Sequence, residues 1–180
     1  MNLANKITML RIFLVPVFML FLLTKFPYGD YIAVVVFIIA AITDGLDGYV
    51  ARKWKQITNF GKFIDPLADK LLVTAALISL VELNRLSAWV VIIILSREFV
   101  VTSLRVVAAS EGIVIAASIW GKVKTITQIV AIIAILIHNF PFSLLGFPFD
   151  QISIYLAVIF TILSGADYLV KNWEVVKNVK

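Results

Sequence analysis

The run YIAVVVFIIAAITDGLDGYVAR, residues 31–52, begins as uninterrupted oil and ends in two aspartates, two glycines and an arginine. Its apolar part, Tyr31 to Ile42, extends through small and weakly polar neighbours to about 20 residues, enough for a helix to cross a hydrocarbon core about 30 Å thick. Similar runs recur at Ile12 to Leu23, Leu71 to Val81, Ala88 to Leu95, Ile126 to Ile137 and Ile152 to Leu163. A hydrophobic share of 62% and a mean hydropathy of +1.02 over 180 residues exceed what a soluble globule carries. The expected fold is an all-α integral membrane protein with six transmembrane helices, roughly at 6–24, 31–52, 62–82, 87–109, 117–138 and 150–171. No internal repeat, low-complexity tract or linker divides the chain, so residues 1–180 are expected to form a single membrane domain. The first run follows Lys6 and Arg11 as a signal peptide would. No small-residue cleavage site comes after it, and Lys25-Phe26-Pro27 reads as a turn, so the run is expected to stay in the mature protein.

The formal net charge of +5 suits nucleic acid or an anionic membrane surface, and its distribution decides between them. With the N-terminus inside, the inner span ends collect fourteen of the 16 cations, and only Lys25 and Arg85 remain outside. That asymmetry is the positive-inside pattern of a six-span protein with both termini cytoplasmic. Nucleic-acid binding is not needed to explain it. Cysteine is absent, which excludes disulfides, thiol nucleophiles and cysteine metal sites.

Charges within spanning segments are costly and concentrate where function needs them. They crowd one side: Asp44, Asp47 and Arg52 end the second span, and Lys62, Asp65, Asp69 and Lys70 begin the third. Arg97, Glu98 and Arg105 lie in the inner part of the fourth, and Lys122 and Lys124 begin the fifth. The sequence thus describes a polar cavity open to the cytosol. Asp44 and Asp47 are three apart and Asp65 and Asp69 four apart, so each pair projects from one helix face. A loop from about Arg52 to Gly61 would set the pairs opposite each other. Four carboxylates packed without compensation would repel and take up protons, so the arrangement asks for a cation. Oxygen ligands without His or Cys favour Mg²⁺, Mn²⁺ or Ca²⁺ over zinc, and four can hold two ions. The alternative is structural ion pairing and helix capping, with Asp65 as an N-cap before Pro66 at the first helical position. Gly48 and Gly61 stand beside these carboxylates and suggest close approach, either of a ligand or of another helix.

Read as a pattern, residues 44–69 are D-x2-D-G-x2-A-R-x8-G-x3-D-x3-D: Asp44, Asp47, Gly48, Ala51, Arg52, Gly61, Asp65 and Asp69. This resembles, without departure, the signature of the CDP-alcohol phosphatidyltransferases, integral membrane enzymes of phospholipid synthesis whose six-span fold covers essentially the whole chain. The resemblance implies a centre of two divalent metal ions, Mg²⁺ or Mn²⁺, held by Asp44, Asp47, Asp65 and Asp69, with Asp69 also the general base. It places Gly48, Arg52 and Thr58, with Gly61 nearby, at the CDP part of a CDP-diacylglycerol donor. NKITMLR, residues 5–11, is similar to the family's N-x-x-T-x-x-R element and would let Asn5 and Thr8 reach the nucleotide or its phosphates. The plain alternative is that either residue caps the first helix. The family also implies a homodimer.

The remaining cations bear on the alcohol acceptor. In SREFVVTSLR, Arg97 and Arg105 are about two helical turns apart near one face, and WGKVKT adds Lys122 and Lys124. Arg grips phosphate bidentately and Lys adds point charge, so an acceptor carrying its own phosphate suits the group. SREFxVTxLR followed by GKxKT looks like the phosphatidylglycerophosphate synthase branch of the family, whose acceptor is sn-glycerol 3-phosphate and whose products are phosphatidylglycerol phosphate and CMP. Positive-inside anchoring by the lysines and pairing of Arg97 with Glu98 or an aspartate is the structural alternative. Related acceptor choices are those of a cardiolipin synthase or a phosphatidylinositol phosphate synthase. A cation transporter would more naturally carry its carboxylates to the midplane and both faces. The implied setting is the cytoplasmic membrane, among membrane lipids, with the active site facing the cytosol. His138 reads as an interfacial residue, the four tryptophans as an aromatic belt, Tyr155 and Tyr168 as packing, and Asp167 as a partner for a lysine.

Overall fold

A computed structural model describes the backbone of residues 3–24, 26–53, 59–110, 112, 113, 115 and 118–173, and the side chains of these except 3, 4, 44–53, 59–63, 65, 66 and 69. Among the described residues the chain forms α1 (Leu3–Leu23), α2 (Gly29–Lys53), α3 (Asn59–Glu82), α4 (Ala88–Ser110), α5 (Ile119–Leu136) and α6 (Phe149–Lys171), with one 3-10 turn at Phe142–Leu145. Apolar runs with few breakers satisfy their backbone groups internally as helices, the form an apolar solvent imposes. Among the described residues, three stretches are long and apolar enough to cross a membrane by length and composition: Asn5–Leu23, Ile119–Leu136 and Phe149–Lys171. α4 has the length, but Arg97, Glu98 and Arg105 interrupt its apolar character.

The helices group into two compact units, Met1–Arg85 and Leu86–Lys180. In the first, α1 packs on both α2 and α3. Asn5, Thr8, Arg11, Val15, Phe18 and Leu22 form the buried stripe of α1, at the three- and four-residue steps of one helix face. Ala33, Phe37 and Ala40 form the stripe of α2, and Ala68, Leu72, Ala76 and Ser79 that of α3. Small residues on these stripes let the helices approach closely, as membrane helix pairs require. The Phe18 and Phe37 rings meet with centroids 5.7 Å apart. Away from the stripes, large apolar side chains such as Phe13, Leu20 and Ile39 stay exposed, the shell expected of a chain solvated by lipid.

The turn into α2 depends on Gly29, because a Cβ there would stand 2.4 Å from the Phe21 carbonyl oxygen. Gly29→Ala is therefore expected to force the α1–α2 turn apart and cost about 1–3 kcal/mol, as overpacking does. A lowered unfolding midpoint in detergent checks it, and an unchanged midpoint would show that the turn relaxes freely. The other end of the unit is tied by Arg85, whose Nη2 lies 2.7 Å from Asp30 Oδ2 in the first turn of α2.

In the second unit, α6 packs on both α5 and α4. Ser118 caps α5, its side-chain oxygen accepting the Gly121 amide at 3.1 Å. Asn139 organises the α5–α6 connection: its Nδ2 donates to the Phe147 carbonyl at 2.7 Å, and its Oδ1 accepts the Asp150 amide at 3.2 Å. Trp120 stacks on Phe160 with ring centroids 6.1 Å apart.

Two capping alternatives are corrected. α3 starts at Asn59, so Asp65 and Pro66 lie inside it and Asp65 is not its N-cap. α1 starts at Leu3, so Asn5 and Thr8 lie within the helix. Polar residues inside a helix have the backbone already satisfied and keep their side chains for other partners.

Candidate active site

In the first unit the sequence-predicted donor residues lie at the start of α1, the end of α2 and the start of α3. Along α2, positions 44 and 47 continue the Ala33, Phe37, Ala40 series by steps of four and three. Along α3, positions 65 and 69 continue the Leu72, Ala76, Ser79 series towards the helix start. Both pairs are thus in sequence register with the described buried stripes of α2 and α3. α1 and α2 are joined by a short turn and run antiparallel, which levels Asn5 and Thr8 with the part of α2 that carries Asp47 and Asp44.

Asn5 is 7% exposed and Thr8 1%, and both have interaction partners. Arg11 extends the same face and is wholly buried at 0%, also with a partner. Sequence reasoning counted Arg11 as an inner-end anchor. A signal was available, since it is the third fixed position of the N-x-x-T-x-x-R spacing and lies on one stripe with the other two. A cation that deep persists only beside compensating charge or hydrogen bonds.

The side chains of Asp44, Asp47, Gly48, Arg52, Gly61, Asp65 and Asp69 lie outside the described ones, although their backbones are placed on α2 and α3; Thr58 lies outside the described residues altogether. Among the described residues, no three His, Asp or Glu side chains come together as a metal site. The chemistry of the donor set suits a hard divalent cation: two carboxylate pairs at helical spacing, on two helices of one unit, in a chain without cysteine.

In the second unit the sequence-predicted cations separate. Lys124 is buried and its Nζ lies 2.5 Å from Glu98 Oε1, whereas Lys122 is exposed. Positions two apart on a helix point to different faces, so the two lysines could not share a pocket wall through α5 alone. Arg97 donates from Nη1 to the same Glu98 oxygen at 2.9 Å. Glu98 therefore joins Arg97 and Lys124, which is the pairing considered for Arg97, and leaves the three groups with one net positive charge. Arg105, two turns along α4, is exposed and donates from Nε to the Tyr168 hydroxyl of α6 at 2.5 Å. Tyr168 is itself buried, so it packs as expected and also accepts this hydrogen bond. Asp167 pairs with Lys171 at 2.7 Å, as expected of it.

Residues 1–163 match the CDP-alcohol phosphatidyltransferase family. The chain is 51% identical to a CDP-diacylglycerol–glycerol-3-phosphate 3-phosphatidyltransferase of Bacillus subtilis, over 98% of this chain and 97% of that protein. A protein of the same name from Haemophilus influenzae is 38% identical over 93% of this chain and 91% of its own length. A probable phosphatidylglycerophosphate synthase of Mycobacterium tuberculosis is 41% identical over 94% of this chain and 81% of its own.

Proposed function

The chain belongs to the CDP-alcohol phosphatidyltransferase family, and from that premise we propose that it transfers the phosphatidyl group of CDP-diacylglycerol to sn-glycerol 3-phosphate, giving phosphatidylglycerol phosphate and CMP. The observation that carries the reading is the near full-length likeness to synthases named for that reaction. The basic residues of α4 and α5 support a phosphorylated acceptor. The protein is an integral membrane enzyme. Six spans forming one domain, both termini and the active site on the cytoplasmic side of the cell membrane, and a homodimer complete the proposal.

Asn5, Thr8, Gly48, Arg52, Thr58 and Gly61 hold the CDP moiety, and Asp44, Asp47, Asp65 and Asp69 hold two divalent cations, Mg²⁺ or Mn²⁺. Such ions, when bound, neutralise charge on the donor pyrophosphate. Asp69 accepts the proton from the free primary hydroxyl of the acceptor. The oxygen attacks in line at the phosphorus that bears diacylglycerol; one P–O bond forms, the anhydride bond breaks, and CMP departs with its electron pair. Arg97, Arg105 and Lys124 take the phosphate of glycerol 3-phosphate, which orients its distant hydroxyl, and Lys122 adds positive charge from another face of α5.

The deciding experiment incubates the purified protein in detergent with CDP-diacylglycerol, a divalent metal and a panel of acceptors. CMP release with glycerol 3-phosphate, and little with phosphatidylglycerol or inositol phosphate, is the expected result. Release with another alcohol and none with glycerol 3-phosphate would overturn the acceptor, while metal-dependent ion flux in proteoliposomes without CMP would overturn the enzyme class.

A further inference from the structure

We infer that α6 is the positioning element for the acceptor-phosphate arginines, with Gly165 setting the path of Arg97 and Tyr168 fixing the guanidinium of Arg105. The inference rests on the reading of Arg97 and Arg105 as phosphate-binding residues. It adds two residues from a helix to which the sequence assigned no chemistry.

Gly165 and Tyr168 are three residues apart and so share a face of α6, and buried Ser164 and Thr161 continue that face. A Cβ on Gly165 would lie 3.1 Å from Arg97 Cγ, closer than side chains normally tolerate. Cγ is the second carbon of the side chain and stays near the α4 backbone, so it has less freedom to yield than the guanidinium. On the other flank, Arg97 Nη2 lies 3.9 Å from where a Cβ of Gly121 would be, at the start of α5. The side chain therefore runs between two glycines, and its Nη1 is held by Glu98 at 2.9 Å. The missing Cβ of Gly165 is the notch through which Arg97 passes.

Tyr168 works differently. Its side chain is buried, has few rotatable bonds and carries its hydroxyl to Arg105 Nε at 2.5 Å. Accepting the Nε hydrogen pins the guanidinium at its inner nitrogen and leaves both terminal nitrogens for a two-point grip on phosphate oxygens. An exposed Arg without that contact would have to surrender side-chain freedom on each binding event. Both α6 contacts thus reduce the ordering that acceptor binding requires.

The test measures CMP release by the full-length protein in detergent, with glycerol 3-phosphate and CDP-diacylglycerol titrated separately, for Tyr168→Phe, Gly165→Ala, Arg105→Ala, Arg97→Ala and the pairs. Tyr168→Phe is expected to raise the KM for glycerol 3-phosphate by roughly 5- to 10-fold, the weight of about one hydrogen bond, with kcat and the KM for CDP-diacylglycerol within about twofold. Gly165→Ala is expected to act in the same direction. Neither α6 change should add to the arginine change it acts through, so Tyr168→Phe is silent beside Arg105→Ala and Gly165→Ala beside Arg97→Ala. Tyr168→Phe deletes a single oxygen and keeps the test decisive where Gly165→Ala fails to fold. Effects shared equally by both substrates, or full additivity in the pairs, would reduce α6 to scaffold and overturn the inference. Should the arginine variants raise the acceptor KM while the α6 variants do not, the inference fails alone. An acceptor KM indifferent to Arg97→Ala and Arg105→Ala removes the phosphate-site reading and this inference with it.

Discussion

Asp69→Asn is expected to lower kcat by about 10²- to 10⁴-fold, the usual weight of a positioned general base, while binding of CDP-diacylglycerol persists. Asparagine keeps the size of the side chain and one oxygen donor but cannot accept the hydroxyl proton. Asp44→Asn and Asp65→Asn should fail in another way, by raising the concentration of Mg²⁺ or Mn²⁺ needed for half-maximal activity. The separation follows from the proposed roles: all four carboxylates are assigned to the metal ions, yet only Asp69 is assigned to move a proton. Titrating metal for each variant, with donor binding followed independently, reads both effects. Parental turnover in Asp69→Asn removes the base, and an unaltered metal requirement in Asp44→Asn and Asp65→Asn removes the metal assignment.

Lys124→Ala should produce the second large loss. Its side chain is only 6% exposed, and its Nζ shares a Glu98 oxygen with Arg97. Removing it deletes one positive charge and one of the cations that Glu98 holds, so the carboxylate draws more strongly on the Arg97 guanidinium and away from phosphate. A charge-assisted hydrogen bond contributes about 1.5–3 kcal/mol, so the KM for glycerol 3-phosphate should rise roughly 10- to 100-fold. Lys122→Ala, at an exposed position on another face of α5, should have a far smaller effect. Equal losses from both lysines would mean that the pair acts through bulk charge rather than through a defined contact.

What could be read from the sequence was whatever depends on position along one helix. The apolar runs gave the six helices within a few residues, and the spacing of Asp44, Asp47, Asp65 and Asp69 placed each pair on one face because helical periodicity is local. Reading the helix starts was harder. α3 begins at Asn59, upstream of the attractive Asp65-Pro66 cap, because the preceding turn is itself helical. Periodicity also held a warning about Lys122 and Lys124, since residues two apart diverge, but their shared charge masked it. The depth of Arg11 was hidden for a different reason: counting cations by side of the membrane says nothing of their burial in the protein. Glu98 acquires its role through Lys124 of α5, and Gly165 and Tyr168 acquire theirs where α6 meets α4, packing decisions that no local pattern announces.

The buried stripe of α1 changes character along its length, from Asn5, Thr8 and Arg11 at one end to Val15, Phe18 and Leu22 at the other. Each residue of an α-helix turns the chain by about 100° and advances it by about 1.5 Å. One inserted or deleted residue between Arg11 and Val15 would therefore swing the polar end away from its partners while the apolar end stayed in register. By contrast, Phe13 and Leu20 face outwards and can exchange with other lipid-compatible side chains at little cost. Natural variation in this helix should accordingly be rich in substitutions on its outer face and almost devoid of gaps.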